Sequence, residues 1–101
     1  MDFGLNKKTI ADIKELFSRY KEIQAVKIYG SRAMGNFKHN SDIDFAIIGD
    51  FPWDFAGHIY EELDQLPIPF LFDVTDYNKI LNKDLKEHID QYGEIFYKGY
   101  N

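Results

Sequence analysis

The central segment of the chain, residues 25–48, limits the possible folds more than any other part of this 101-residue sequence. It contains two short apolar runs, AVKIY at 25–29 and IDFAII at 43–48, with a small and polar segment between them. Short runs that are rich in β-branched residues predict strands, and the uninterrupted second run is typical of a strand buried within a sheet. The polar segment begins at Gly30, where we expect a short helical turn that leads into a loop.

Helices are predicted on both sides of these strands. Residues 9–20 and 52–66 carry apolar side chains at helical spacing, and residues 78–92 form a third segment of this kind. We expect Thr9 to be the N-cap of the first helix and Pro52 to lie near the first turn of the second.

The remaining segments complete an α/β pattern. PFLFDVT, at residues 69–75, includes one of the two prolines that end the second helix, and it predicts a third strand. Gly93 is expected to end the last helix, and EIFYK at 94–98 is expected to be a short final strand. The order α-β-β-α-β-α-β over residues 1–101 predicts a single α/β domain with a mixed β-sheet flanked by about three main helices.

Two aspartates share one face of the second predicted strand. Asp42 and Asp44 are separated by one residue, and side chains two positions apart on a strand point to the same side. Unpaired carboxylates this close raise each other's pKa and destabilise the strand. Mg²⁺ resolves the conflict because it prefers carboxylate oxygens and keeps water ligands that phosphates can replace. The pair therefore predicts a Mg²⁺ site, with Mn²⁺ as the alternative for the same oxygen ligands.

A third aspartate, Asp73, stands within the predicted strand at 69–75. It lies on the opposite face from its apolar neighbours, and a charge inside an apolar strand is unusual unless it is satisfied. Asp73 is either a hydrogen-bonded or edge-strand charge, or a third ligand of the metal site. If its strand lies beside residues 43–48, the three aspartates form a carboxylate cage.

The polar segment after the first strand has features that suit phosphate binding. Gly30 and Ser31 form a turn that can aim backbone N–H groups and a hydroxyl at a phosphate. Arg32 lies in the same turn and Ser41 near the end of the polar segment, and both are candidates for nucleotide binding. Neither common nucleotide fingerprint is present, because Asn36 replaces the lysine of a Walker A motif and there is no G-x-G-x-x-G.

In combination, these segments resemble a known family. A strand followed by GSRAMG, and a second strand that begins with SDIDF, are similar to the signature of the polymerase-beta-type nucleotidyltransferases. The chain is most similar to the minimal nucleotidyltransferases (MNT proteins) of prokaryotes. The resemblance implies that Gly30 and Ser31 bind a triphosphate. It also implies that Asp42, Asp44 and Asp73 hold two Mg²⁺ ions and carry catalysis.

The resemblance also implies an activity and partners. A member of this family is expected to transfer a nucleoside monophosphate, here AMP from ATP or another nucleoside triphosphate, to a hydroxyl acceptor. MNT proteins are often paired with a HEPN-domain toxin, act as its antitoxin, and in some cases transfer AMP to a tyrosine of that toxin. Two alternatives stay open: a catalytically weak or inactive module that neutralises its partner by binding, and an enzyme that modifies a small hydroxyl compound.

Charge and composition limit the other possible partners. The net charge of −5 argues against a general nucleic-acid-binding surface. The chain has no cysteine, which excludes disulfides and thiolate metal sites and is compatible with the cytoplasm, where we expect the protein. No apolar run approaches the length of a membrane span, so no membrane association is expected, and the sequence is compatible with an oligomer.

Two aromatic segments, FPWDF at 51–55 and IFYKGY at 95–100, each permit two interpretations. Either they pack as part of the core or they form a docking surface. Because a chain this small must obtain its acceptor from elsewhere, we expect at least one partner surface.

Overall fold

A four-stranded mixed β-sheet forms the centre of the protein, of which the computed structural model describes residues 2–51 and 53–99. The strands are β1 (Ile23–Tyr29), β2 (Ile43–Gly49), β3 (Phe72–Asp76) and β4 (Glu94–Lys98). Strand β1 is antiparallel to β2 and β4, β2 is parallel to β3, and the order across the sheet is β3-β2-β1-β4. The predicted α/β class and mixed sheet are confirmed.

Four α-helices and one 3₁₀ turn accompany the sheet in the described part of the chain. The helices are α1 (Lys7–Ser18), α2 (Ser31–Met34), α3 (Phe55–Asp64) and α4 (Lys83–Tyr92), and the 3₁₀ turn is Tyr77–Lys79. All three predicted long helices are present, and α2 is the short helical turn expected after Gly30.

The predicted helix starts are wrong because other side chains provide the caps. The Asn6 side chain accepts the Thr9 N–H at 2.7 Å, so Thr9 lies in the first turn of α1 and is not its N-cap. Asn82 caps α4 in the same way, which leaves residues 78–82 outside that helix. Asp54 caps α3. The prediction for Pro52 lies outside the described residues.

The two faces of the sheet differ in composition. The face toward which Phe45 points, called here the core face, is covered by α1 and α3, whose buried apolar side chains form one cluster with those of the strands. The opposite face, called here the carboxylate face, carries Asp44 and is covered in part by α4. Ile89 of α4 packs there against Tyr29 and Ala46.

The two aromatic segments contribute both buried and exposed side chains. Phe51 and Phe55 are buried with their rings stacked 4.6 Å apart, whereas Trp53 between them is half exposed. In β4, Phe96 is buried and Ile95 is exposed. In its described residues, each segment therefore packs into the core and also exposes a large apolar side chain.

Among residues 2–51 and 53–99, no helix combines the length and the apolar character that crossing a membrane requires.

Candidate active site

The register between β2 and β3 brings two of the predicted aspartates together. The strands are parallel, and Asp44 lies directly beside Asp73 in the paired register. Neighbouring residues of paired strands point to the same face, so both carboxylates lie on the carboxylate face. Asp42 lies outside the strand, two residues before Asp44, and its side chain is exposed. The strand of Asp73 therefore lies beside that of Asp44, which was the condition for the three aspartates to share one site.

The carboxylates act on one another electrostatically. The pKa of Asp44 is raised above its ordinary value, first by burial of the carboxyl group and then by the negative charges of Asp73 and Asp42. His88 and Arg32 act in the opposite direction and lower the pKa of Asp44. Negative charge is therefore concentrated at this edge of the sheet, where a cation would relieve it.

The three aspartates do not form a closed ligand set. Within the described ranges, 2–51 and 53–99, no group of three or more His, Cys, Asp or Glu side chains is arranged closely enough to hold a metal ion. Like charges repel, and three carboxylates without a cation between them gain nothing by converging. The oxygen donors themselves fit Mg²⁺, because Asp44 and Asp73 are adjacent and the charges of Asp73 and Asp42 both act on Asp44.

Gly30 lies where the turn after β1 approaches the aspartate of β2. It follows β1 with φ of +74°, a left-handed conformation that glycine adopts without steric cost. A Cβ atom at this position would lie 2.4 Å from Oδ2 of Asp44, which leaves no room for a side chain. The turn that begins with Gly30 and Ser31 therefore lies directly against the carboxylate of β2.

Arg32 lies elsewhere than the sequence predicted. Its side chain is 1% exposed, Nη1 donates to the Phe3 carbonyl at 2.9 Å, and Nε and Nη2 donate to the Ser41 carbonyl at 3.0 and 2.8 Å. The guanidinium carbon lies 5.3 and 4.6 Å from the ring centres of Phe37 and Phe70. Burial lowers the pKa of Arg32. This guanidinium holds backbone carbonyls together and is not presented to a phosphate.

Ser41 is likewise engaged within its own loop. Its Oγ accepts the Lys38 N–H at 2.8 Å, and its carbonyl is the oxygen that Arg32 holds. The residue therefore shapes the loop that leads to Asp42.

Two residues of this site, Tyr29 and His88, were not identified by sequence reasoning. The Tyr29 hydroxyl lies 3.4 Å from Oδ2 of Asp73 and 3.5 Å from Oγ1 of Thr75. Burial raises the pKa of Tyr29 to about 12, so at neutral pH the hydroxyl keeps its proton and donates to Asp73. The sequence gives one weak indication of Tyr29: it is the last residue of β1 and directly precedes Gly30.

His88 reaches the site from helix α4. Its Nε2 accepts the backbone N–H of Gly30 at 3.3 Å, although the two residues are 58 positions apart in sequence. No local pattern reveals such a contact, because it depends on how α4 packs across the carboxylate face.

The amino-acid sequence matches a known protein family over most of its length. A family model described as "Polymerase beta, Nucleotidyltransferase" matches residues 11–99, a range that contains the four strands and all three aspartates. Among curated proteins, no sequence matches the chain.

Solved structures share the fold at low sequence identity. A chain of a toxin–antitoxin complex crystallised with AMP-PNP superposes with a TM-score of 0.72 at 21% identity, and the match covers 93% of this chain and 74% of that one. A chain of the MntA–HepT toxin–antitoxin complex gives a TM-score of 0.69 at 17% identity over 92% and 73% of the two chains. A chain of the complex between a tri-AMPylated HEPN toxin of Shewanella oneidensis and an MNT antitoxin gives 0.69 at 15% identity over 93% and 73%. The predicted resemblance to MNT proteins is therefore confirmed at the level of fold.

Proposed function

Because this chain belongs to the polymerase beta nucleotidyltransferase family, we propose that it transfers a nucleoside monophosphate, AMP from ATP, to a hydroxyl acceptor. The observation that carries the proposal is the direct approach of Gly30 to the Asp44 carboxylate, with Asp73 beside it. This arrangement supports a triphosphate site and an acidic site in contact with each other, which is what transfer at the α-phosphorus requires.

Each residue of the site has a proposed task. The Gly30–Ser31 turn binds the β- and γ-phosphates through its N–H groups and the Ser31 hydroxyl. Asp42, Asp44 and Asp73 would hold Mg²⁺, which when bound neutralises triphosphate charge and polarises phosphoryl oxygens. Two ions are expected, and Mn²⁺ suits the same oxygens.

The reaction itself is a substitution at the α-phosphorus. The acceptor oxygen forms a new bond to this phosphorus, the bond to the β-phosphate bridging oxygen breaks, and pyrophosphate leaves. Asp73 takes the proton that the acceptor hydroxyl loses, since it is the more exposed carboxylate of the strand pair. Tyr29 orients Asp73 by donating its hydroxyl hydrogen to Oδ2.

Arg32 and Ser41 support the site without contacting the phosphate. Arg32 ties helix α2 to the Ser41 carbonyl, which lies immediately before Asp42. We therefore assign Arg32 a positioning role, in which it sets the phosphate-binding turn against the aspartate-bearing strand. Ser41 takes part in the nucleotide site through this backbone contact.

The proposed acceptor is a tyrosine of a partner HEPN toxin, and the protein would then act as an antitoxin in the cytoplasm. This step is supported by the fold shared with chains of toxin–antitoxin complexes, one of which contains an AMPylated HEPN toxin. Because those structures are complexes, neutralisation by binding alone is the second candidate function.

The experiment uses ATP labelled at the α-phosphate, incubated with the protein and Mg²⁺ in a lysate of its own cell. Wild type is compared with Asp44→Asn and with Asp64→Asn, which removes an exposed carboxylate on α3. We expect a labelled protein band with wild type and Asp64→Asn. EDTA should remove it, and Asp44→Asn should reduce it at least about a thousandfold, because a metal-holding charge is lost while the side-chain volume is kept.

Two outcomes contradict the proposal in different ways. If Asp44→Asn labelled the band as strongly as wild type does, the Asp44 carboxylate would have no part in the reaction. The absence of label with wild type, together with recovery of a toxin in a pull-down, would favour the binding module.

A further inference from the structure

Helix α4 places a histidine at the phosphate-binding turn. The helix packs on the carboxylate face through Ile89, which contacts Tyr29 and Ala46. His88 directly precedes Ile89 and is half-buried. The helix is therefore anchored beside its histidine, and the position of the imidazole is set by packing.

The imidazole contacts the turn and lies near the carboxylates. Nε2 of His88 accepts the Gly30 N–H at 3.3 Å, and the ring centres of Tyr29 and Tyr92 lie 6.1 and 5.4 Å from its own. Gly30 itself lies directly against the Asp44 carboxylate, so His88 is close to both the turn and the carboxylates.

The Gly30 amide has one hydrogen to donate, and in the free protein His88 receives it. A triphosphate oxygen that binds this amide is a second acceptor, and two acceptors facing each other are unfavourable. The conflict disappears if the neutral imidazole moves its single ring proton from Nδ1 to Nε2. Nε2 then donates to the phosphate, and the amide does so as well.

The guanidinium of Arg32 is unsuited to this task because its N–H groups already donate to the carbonyls of Phe3 and Ser41. The imidazole is thus better placed than the arginine of the motif to add a side-chain donor at the turn.

We propose that His88 is a nucleotide-binding residue, which holds the Gly30 amide in the free protein and donates from Nε2 to a β- or γ-phosphate oxygen of the bound triphosphate. The proposal rests on the proposed nucleotidyl transfer and adds to that site a residue from outside the sequence motif.

Calorimetry with the Mg²⁺ complex of α,β-methylene-ATP, whose α–β bridge cannot be cleaved, tests the contact. His88→Phe keeps a ring without any hydrogen-bonding group and should weaken binding about tenfold or more, the range expected for a hydrogen bond to a charged group. His88→Gln can accept and donate, and it should stay within about twofold of wild type. AMP, which lacks the β- and γ-phosphates, should bind equally to all three proteins.

His58→Gln on α3 is the matched control, because His58 contacts Tyr20 of the α1 region, away from the turn. It should leave the affinity for the triphosphate analogue unchanged.

Nuclear magnetic resonance adds a second readout. In the free protein, Nε2 of His88 should be unprotonated, and His88→Phe should shift the Gly30 amide signal. Addition of the triphosphate analogue to wild type should yield a protonated Nε2.

The results separate this inference from the proposed function. Wild-type affinity or tighter binding in His88→Phe would overturn the inference, and so would equal losses of affinity for AMP and for the triphosphate analogue. If wild type itself binds no triphosphate, the proposed nucleotidyl transfer fails and the inference fails with it.

Discussion

The two faces of strand β2 are made from alternate residues of the same segment, yet they depend on different physical forces. On the core face, Ile43, Phe45 and Ile47 are each 0% exposed. On the carboxylate face, Asp44 is partly buried and lies beside the carboxylate of Asp73. Burial and the neighbouring negative charge both disfavour its charged form, and its pKa is therefore raised. The core face provides stability through apolar burial. The carboxylate face buries Ala46 beneath α4 and also holds charges, whose proposed use is chemical.

The apolar packing of β2 holds the charged residue of the same strand in position. Phe45 packs against Phe17 and Phe96 with ring centres 5.3 and 4.9 Å apart, so the strand is fixed from its apolar side. The backbone that the core fixes then holds Asp44 in place on the other side. If this is correct, substitutions on the two faces should separate stability from chemistry.

The largest effect on stability is expected for Phe45→Ala. Removing a fully buried ring should lower the free energy of unfolding by about 3–5 kcal/mol. Denaturant titration measures this loss, and Leu71→Ala, at a side chain that is 66% exposed just before β3, is the control. That control should remain within about 0.5 kcal/mol of wild type. Equal losses at the two positions would contradict the assignment of stability to the core face.

Gly30→Ala should affect both properties because this residue lies where the faces meet. The added Cβ would collide with Oδ2 of Asp44 and would occupy a left-handed conformation, at a combined cost of about 1–3 kcal/mol. Transfer activity should fall as Asp44 is displaced. Gly35→Ala is the comparison variant, because Gly35 also has a positive φ, +83°, but open space around the position of a Cβ.

The difference between the two glycine variants combines the contact with Asp44 and the greater backbone strain at Gly30, whose ψ is −154° where that of Gly35 is 3°. Gly35→Ala should show only the conformational cost, about 1 kcal/mol, and keep transfer activity. If both variants lose the same stability and the same activity, the close approach of Gly30 to Asp44 has no consequence of its own.

The smallest stability effect, and the one of opposite sign, is expected for Asp44→Asn. The folded protein raises the pKa of Asp44, so its charged form opposes folding at pH values above that raised pKa. At pH 7 the variant should therefore be more stable than wild type while transfer is lost. As the pH falls through the folded-state pKa toward the unfolded-state pKa, wild-type Asp44 takes up its proton and the difference should disappear.

Unfolding curves of wild type and Asp44→Asn between pH 3 and pH 7 measure this dependence. A variant less stable than wild type at pH 7 would show that Asp44 contributes to folding, and the contrast between the two faces would fail.

Sequence reasoning reached the strands because they follow from a period of two residues, whereas the shared side of Asp42 and Asp44 stays a prediction, since Asp42 lies just before β2. Alternation alone predicts that Asp42 and Asp44 share a side and that Phe45 points the other way. Sequence reasoning was less successful for Arg32, because the position of an arginine directly after Gly30 and Ser31 does not indicate where its long side chain lies. In the structure that side chain is buried, and its Nε, Nη1 and Nη2 atoms donate to the backbone carbonyls of Phe3 and Ser41.

By itself, the sequence determined the α/β class, the order of the elements and the family resemblance, and it predicted the three aspartates as site residues, because these depend on local periodicity and residue type. The tertiary structure decided the rest: the pairing of Asp44 with Asp73, the contact of Gly30 with Asp44, and the arrival of His88 from α4. These contacts join residues far apart in the chain. Their positions depend on strand register and on the packing of a helix across a sheet, and no short pattern in the sequence encodes either.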